Sequence, residues 1–148
     1  MAEARLLLQH GADVEGDTEE KEQTPLYLAA IFGHADAARR LLEGGAEASR
    51  AGPGGIFPLL AACYGGYFEA ARALVEGGAD VGQVDGRGMS PLKMACQNGH
   101  VDVARLLIEK DADVGQADEN GATPLLMACV NGHVDVARLL IEKGADVD

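Results

Sequence analysis

Apolar and polar positions repeat along this chain every 33 residues. The thirteen residues NGHVDVARLLIEK occupy positions 98–110 and return unchanged at 131–143. Proline keeps the same spacing at Pro25, Pro58, Pro91 and Pro124. An active site is assembled once from scattered residues, whereas letter-for-letter repetition is typical of a structural unit that stacks on its own copies.

Within one period the apolar residues predict two short helices joined by a turn. In the last period Thr123 suits the N-cap of the first helix, and Pro124 suits its first turn, where a missing N–H costs nothing. Apolar residues at helical spacing predict the second helix over 134–143. Gly132 and Gly144 follow the two helices and can adopt the left-handed conformation that ends a helix. A helix pair of this size cannot bury its own apolar face, so the pairs are expected to stack.

The pattern predicts four full repeats and one partial repeat in a single continuous domain. The full repeats run over 17–49, 50–82, 83–115 and 116–148, and residues 1–16 match the second helix of another repeat. The expected fold class is all-α, with stacked helix–turn–helix units and a projecting β-turn between successive units.

Three repeats share a core motif, which reads TPLYLA at 24–29, SPLKMA at 90–95 and TPLLMA at 123–128. The dipeptide Gly-His and the tripeptide Gly-Ala-Asp recur after this motif along the chain. In these motifs, and over nearly its whole length, the chain resembles the ankyrin repeat family. The resemblance implies an ankyrin-repeat solenoid that binds other proteins. The chain departs from the family motif where Phe57 replaces the N-cap hydroxyl, and where the histidine after Pro-Leu is replaced by Tyr27, Leu60, Lys93 and Leu126.

The composition argues against nucleic-acid and membrane partners. Twelve Lys and Arg against 24 Asp and Glu give a net charge of −12, which repels phosphate backbones and attracts basic or amphipathic segments. The chain has no run of 18 apolar residues of the kind that spans a bilayer. Three cysteines, an odd number and not in metal-type pairs, suit a reducing, intracellular setting, so a cytoplasmic location is expected.

Cysteine and histidine lie four residues apart in two repeats, a spacing that would suit a nucleophile–base pair or half of a zinc site. In the other repeats the two positions vary independently, because tyrosine follows one cysteine and alanine precedes one histidine. Each of these cysteine and histidine side chains is therefore expected to have a local role in packing. We predict no catalytic residue, metal or cofactor, and expect one buried cysteine per repeat at Cys63, Cys96 and Cys129.

The resemblance implies that a partner is contacted by the turn tips and by the exposed ends of the first helices. Six aromatic residues, all between positions 27 and 68, favour an apolar, acid-rimmed groove on the N-terminal half, although Phe57 and Phe68 are expected in the core. The predicted contact residues are Glu19, Glu20, Glu22, Ile56, Arg87 and Met89 at the tips, and Tyr27, Ile31, Phe32, Tyr64, Gln97 and Val130 on the first helices.

The leading hypothesis is a non-catalytic module that binds a protein or peptide, basic or amphipathic in character. The alternative is a targeting or regulatory region of a larger enzyme, kinase or channel, favoured by a chain that begins inside a repeat and stops at the threshold of another. An engineered consensus-like binder ranks third and an enzyme last. We expect a monomer, with end-to-end pairing of uncapped repeats as the alternative.

Overall fold

The computed structural model describes residues 23–148. The chain divides into two compact units, Met1–Asp80 and Val81–Asp148. The predicted partial repeat at 1–16, the first residues of the next repeat, and the predicted contacts Glu19, Glu20 and Glu22 lie outside the described residues. The prediction of one continuous domain stays a prediction.

The N-terminal unit contains two helix pairs in its described part. Its helices are α1 (Pro25–Ile31), α2 (Ala35–Glu43), α3 (Pro58–Gly65) and α4 (Phe68–Glu76), with a short 3-10 turn at Pro53–Gly55. Each helix packs against its partner in the pair, and the first helices (α1 with α3) and second helices (α2 with α4) of the two pairs pack on each other. The stacking inferred from the period is therefore present in this unit.

The C-terminal unit has the same arrangement. Its helices are α5 (Pro91–Gln97), α6 (Val101–Glu109), α7 (Pro124–Val130) and α8 (Val134–Glu142). Again α5 packs on α7 and α6 on α8. Residues 23–148 contain helices and turns without a strand, which confirms the all-α prediction. None of the helices in this range has the length and apolar character needed to cross a bilayer.

Side-chain caps start three of the four first helices. The hydroxyls of Thr24, Ser90 and Thr123 accept a hydrogen bond from the N–H of the third residue after them, at 3.1, 3.1 and 3.2 Å. Phe57 holds the N-cap position of α3 without such a bond, and its ring is 1% exposed. Losing a cap costs about 1 kcal/mol, whereas burying a phenylalanine side chain contributes about 1.5–3 kcal/mol. Burial of the Phe57 side chain in the core therefore offsets the loss of the N-cap hydrogen bond.

Leucine and alanine are the commonest residues in the core of the helix pairs. Leu41, Leu74, Leu107 and Leu140 occupy the same position in successive repeats, and all four are buried. Small alanines around them, such as Ala38 and Ala71, are buried as well. Side chains this small let neighbouring helices approach closely, so a chain with only two buried aromatic residues in its described part can still pack densely.

The three cysteines are free, and only two of them are buried. Burial raises the pKa of the Cys96 thiol to about 12, which keeps it protonated and unreactive at neutral pH. Cys129 is exposed, so the expectation of a buried cysteine in every repeat is wrong for the last one. The reason is that α7 packs against α5, which contains Cys96, while no described helix packs on the corresponding side of α7.

The helix ends predict a stabilising substitution. Asp111 has φ 70, and it occupies a position where Gly45, Gly78 and Gly144 have φ between 94 and 104. Left-handed backbone costs an ordinary residue about 1 kcal/mol more than glycine. Asp111→Gly is therefore expected to raise the free energy of unfolding by about 1 kcal/mol in urea titrations followed by circular dichroism. Gly144→Asp is the matched control and should lower it; an Asp111→Gly variant no more stable than the parent would contradict the argument.

Candidate partner-binding surface

The ends of the first helices in the N-terminal unit carry exposed apolar side chains. Ile31 and Phe32 end α1, and Tyr64 lies on α3 one period after Ile31. Their exposed fractions are 37%, 56% and 63%. Phe32 also contacts His34, with 6.2 Å between ring centroids. Three of the predicted contact residues thus lie at solvent on adjacent, directly packed helices.

Tyr67 adds a fourth exposed side chain, one that the sequence prediction missed. It is 39% exposed, and its ring lies against the backbone of Gly33 and Gly65. A Cβ atom on Gly33 would come within 2.6 Å of the ring, so both glycines are needed for this approach. The ring therefore lies between the backbone beside Phe32 and the backbone beside Tyr64. We call the set Ile31, Phe32, Tyr64 and Tyr67 the aromatic patch.

The C-terminal unit shows what normally occupies the position of Tyr67. There His133, from the Gly-His mark, lies against Gly99, and its Nε2 is 2.9 Å from the carbonyl oxygen of Gln97. The histidine fixes the junction between two helix pairs. Tyrosine performs the same packing but carries a larger ring, so part of it remains at the surface. The departure from Gly-His at Gly66-Tyr67 was the sequence signal for this residue.

Tyr27 does not belong to the surface. It was predicted as a contact residue, but it is only 6% exposed, and burial raises the pKa of its phenol. Its ring packs on Gly52, where an added Cβ would lie within 2.5 Å of it. Gly52 stands where the other described repeats have Asp85 and Asp118, and the missing side chain leaves the space that the ring fills. Ile56, at the tip after Gly52, is partly buried.

The first tip turn of the C-terminal unit is held by Asp85. Its carboxylate accepts hydrogen bonds from the N–H groups of Arg87 and Met89, both at 2.9 Å, and from the Arg87 guanidinium. Burial alone would raise the pKa of Asp85, but these donors together lower it. Arg87 is well exposed, yet its charge is already paired within its own turn, and Met89 is partly buried.

The next tip turn is tied to the preceding helix pair by a buried lysine. Asp118 accepts hydrogen bonds from the N–H groups of Asn120 and Ala122, both at 2.9 Å. Its other oxygen is 3.5 Å from Nζ of Lys93, a fully buried side chain that has no hydrogen-bond partner in the described part of the chain. The backbone donors, Ala122 first, and the Lys93 charge lower the pKa of Asp118. Lys93 and Tyr27 occupy the same position in their repeats.

The first-helix ends of the C-terminal unit are mostly polar. Gln97 is partly buried, and its carbonyl is engaged by His133. Val130, which occupies the same position as Tyr64, is 80% exposed. Within residues 23–148 no three His, Cys, Asp or Glu side chains lie close enough together to hold a metal ion. The exposed aromatic residues of the described range, Phe32, Tyr64 and Tyr67, therefore all belong to the aromatic patch.

Comparison with known proteins covers most of the chain. A family model described as ankyrin repeats in three copies matches residues 59–148, and a second, described as ankyrin repeat, matches residues 21–51. No curated protein matches the chain. The matched ranges include both helix pairs of the C-terminal unit and nearly all described helices of the N-terminal unit.

The buried ion pair predicts opposite effects for its two partners. Replacing a buried charge by an apolar residue of similar volume is often stabilising, and leucine holds the same position at Leu60 and Leu126. Lys93→Leu is therefore expected to raise the free energy of unfolding by about 1 kcal/mol. Asp118→Ala should lower the urea midpoint, because it leaves Lys93 buried without a counter-charge. A loss of stability in Lys93→Leu would show that the pair is net stabilising.

The lowered pKa of Asp118 predicts acid sensitivity. Because its folded-state pKa lies below the ordinary value of 3.8, its contribution is complete above that pH and is lost as pH falls through the folded value. Asp118→Asn keeps an oxygen for the turn N–H groups but does not titrate. The variant should be less stable than the parent at neutral pH, and the gap should narrow as urea titrations move from about pH 5 to about pH 2. A gap that is constant with pH would contradict this assignment.

Proposed function

The chain belongs to the ankyrin repeat family, and we propose that it is a non-catalytic module that binds a partner protein or peptide through its N-terminal unit. Ankyrin repeats are in general protein–protein interaction modules. The single observation that supports this site is the aromatic patch. Its members are large apolar side chains at solvent, and they include all three exposed aromatic residues of the described range 23–148.

Exposed aromatic rings are the usual centre of a binding surface. Scattered apolar residues are normal on any protein, but contiguous ones rimmed by polar groups mark interaction sites. Tyrosine in particular supplies a large contact area with few rotatable bonds, and it is enriched among residues that dominate binding energy. Tyr64 is 63% exposed, so most of its surface is accessible to a partner.

The net charge of the chain suggests which partner residues would surround the apolar contact. The chain carries a net charge of −12, so a partner with basic residues outside the apolar contact gains from long-range attraction and faster association. We therefore propose a basic or amphipathic segment as the partner. The predicted contacts Glu19, Glu20 and Glu22 belong to this proposal. Three free cysteines suit a reducing compartment, and we propose that the protein acts in the cytoplasm.

A capture experiment with matched variants tests the patch. The immobilised protein is compared with a Phe32→Ala, Tyr64→Ala double variant, whose fold is checked by circular dichroism and urea unfolding. Truncating central aromatic contacts costs about 2 kcal/mol each, so the double variant should retain a small fraction of the partner that the parent captures from a cell extract.

Val134→Ala is the control, because Val134 is an exposed apolar residue of the C-terminal unit that lies outside the predicted contact positions. It should capture as much as the parent. Equal capture by the folded double variant would place the interface elsewhere and refute the proposed site.

A further inference from the structure

The aromatic patch lies in a stretch without formal charge, and this restricts what can contact it. Residues 23–35 and 51–68, which contain α1, α3 and the turns after them, include no Asp, Glu, Lys or Arg. The second helices that follow begin with carboxylates, but Asp36 is 2.7 Å and Glu69 3.6 Å from the Arg39 guanidinium. Within these two stretches and the carboxylates that follow them, a charged ligand side chain would lose hydration and find no unpaired counter-charge. Charge complementarity with this part of the described chain therefore favours an uncharged segment.

The spacing of the patch restricts the backbone of that segment. Ile31 and Tyr64 are equivalent residues on directly packed helices, whose axes lie about 8–10 Å apart. A polyproline II segment presents the same face every three residues, or about 9.3 Å. An extended strand presents the same face about every 6.8 Å and falls out of step with the two helices. A polyproline II ligand running from α1 to α3 would thus place one residue of the same face on each.

The chemistry of the patch matches such a segment as well. Aromatic-lined grooves hold proline-rich peptides because flat rings stack on the proline faces and the peptide is already ordered before it binds. Polyproline II leaves its carbonyl oxygens without internal hydrogen bonds. A tyrosine hydroxyl such as that of Tyr67 can donate to one of them. An α-helix keeps its carbonyls bonded internally and offers no such acceptor.

We propose that the aromatic patch binds an uncharged, proline-rich segment of a partner protein in the polyproline II conformation. This inference rests on the proposed function and specifies the ligand of the same surface. Basic residues of the partner contribute outside the patch, where they interact with the acidic remainder of the chain. The contact on the patch itself involves no charged group, so its strength should not depend on salt.

Three synthetic peptides of equal length distinguish the possible ligands. One is uncharged with repeated Pro-x-x-Pro, one is an amphipathic helix former, and one is an uncharged Thr/Val-rich strand former. Each ends in tryptophan, which the protein lacks, so the peptide fluorescence reports binding without a label. We expect saturable binding of the proline-rich peptide, with a Kd that changes by less than about twofold between about 0.05 M and about 0.5 M salt.

Single substitutions test whether the proline-rich peptide binds at the aromatic patch. Phe32→Ala and Tyr64→Ala should each weaken binding of the proline-rich peptide about tenfold or more, and the control Val134→Ala should leave its Kd unchanged. Tyr67→His is the sharpest variant, because histidine occupies this position at His34, His100 and His133 and the junction should stay folded. It should also weaken binding, while circular dichroism and the urea midpoint remain close to those of the parent.

The possible outcomes test the proposed ligand and the proposed function separately. Failure of the proline-rich peptide to bind, or binding that the patch variants do not change, overturns the proposal. Preferential binding of the helical peptide, lost in Tyr64→Ala, also overturns it but leaves the proposed function standing. If no peptide binds while the capture experiment still depends on Phe32 and Tyr64, the ligand class is wrong and the interaction surface is right.

Discussion

The contact between successive helix pairs is the interaction on which the rest of this structure depends. One pair of helices of seven to nine residues each cannot enclose a core, so every pair completes its core with side chains of the neighbouring pair. Leu41, Leu74, Leu107 and Leu140 are buried for this reason. The environment of a residue is consequently set by the repeat beside it as much as by its own repeat.

This dependence explains how one position can hold very different side chains. In α1 the position after Pro-Leu is Tyr27, and the next repeat accommodates its ring with Gly52. In α5 the same position is Lys93, and the next repeat supplies the carboxylate of Asp118 at 3.5 Å. Tyr27 with Gly52 and Lys93 with Asp118 are two ways of accommodating a side chain at the same position of the repeat. Neither side chain can be understood from its own repeat alone.

The same dependence divides what the sequence could predict from what it could not. Helix positions, hydroxyl caps and the missing cap at Phe57 follow from local signals, and the structure bears them out. Tyr27 and Cys129 were wrongly placed because the period gives a residue its position but does not show what covers it. Tyr67 was detectable only as a departure from Gly-His, and its exposure follows from the size of its ring on Gly33 and Gly65.

The positions that form the junctions between helix pairs differ from the exposed positions at the ends of the first helices, so the exposed positions can vary without loss of the fold. Junction positions such as Gly33 and Gly99 admit no side chain, because a ring of the next helix pair lies against them. The ends of the first helices are not constrained in this way, and the same position is isoleucine, tyrosine, glutamine or valine in successive repeats. In the C-terminal unit the tip charges of Asp85, Arg87 and Asp118 are largely satisfied within the unit itself. In the N-terminal unit the rings of Phe32 and Tyr64 lie at those helix ends with more than half of each residue exposed, so the fold holds them at the surface.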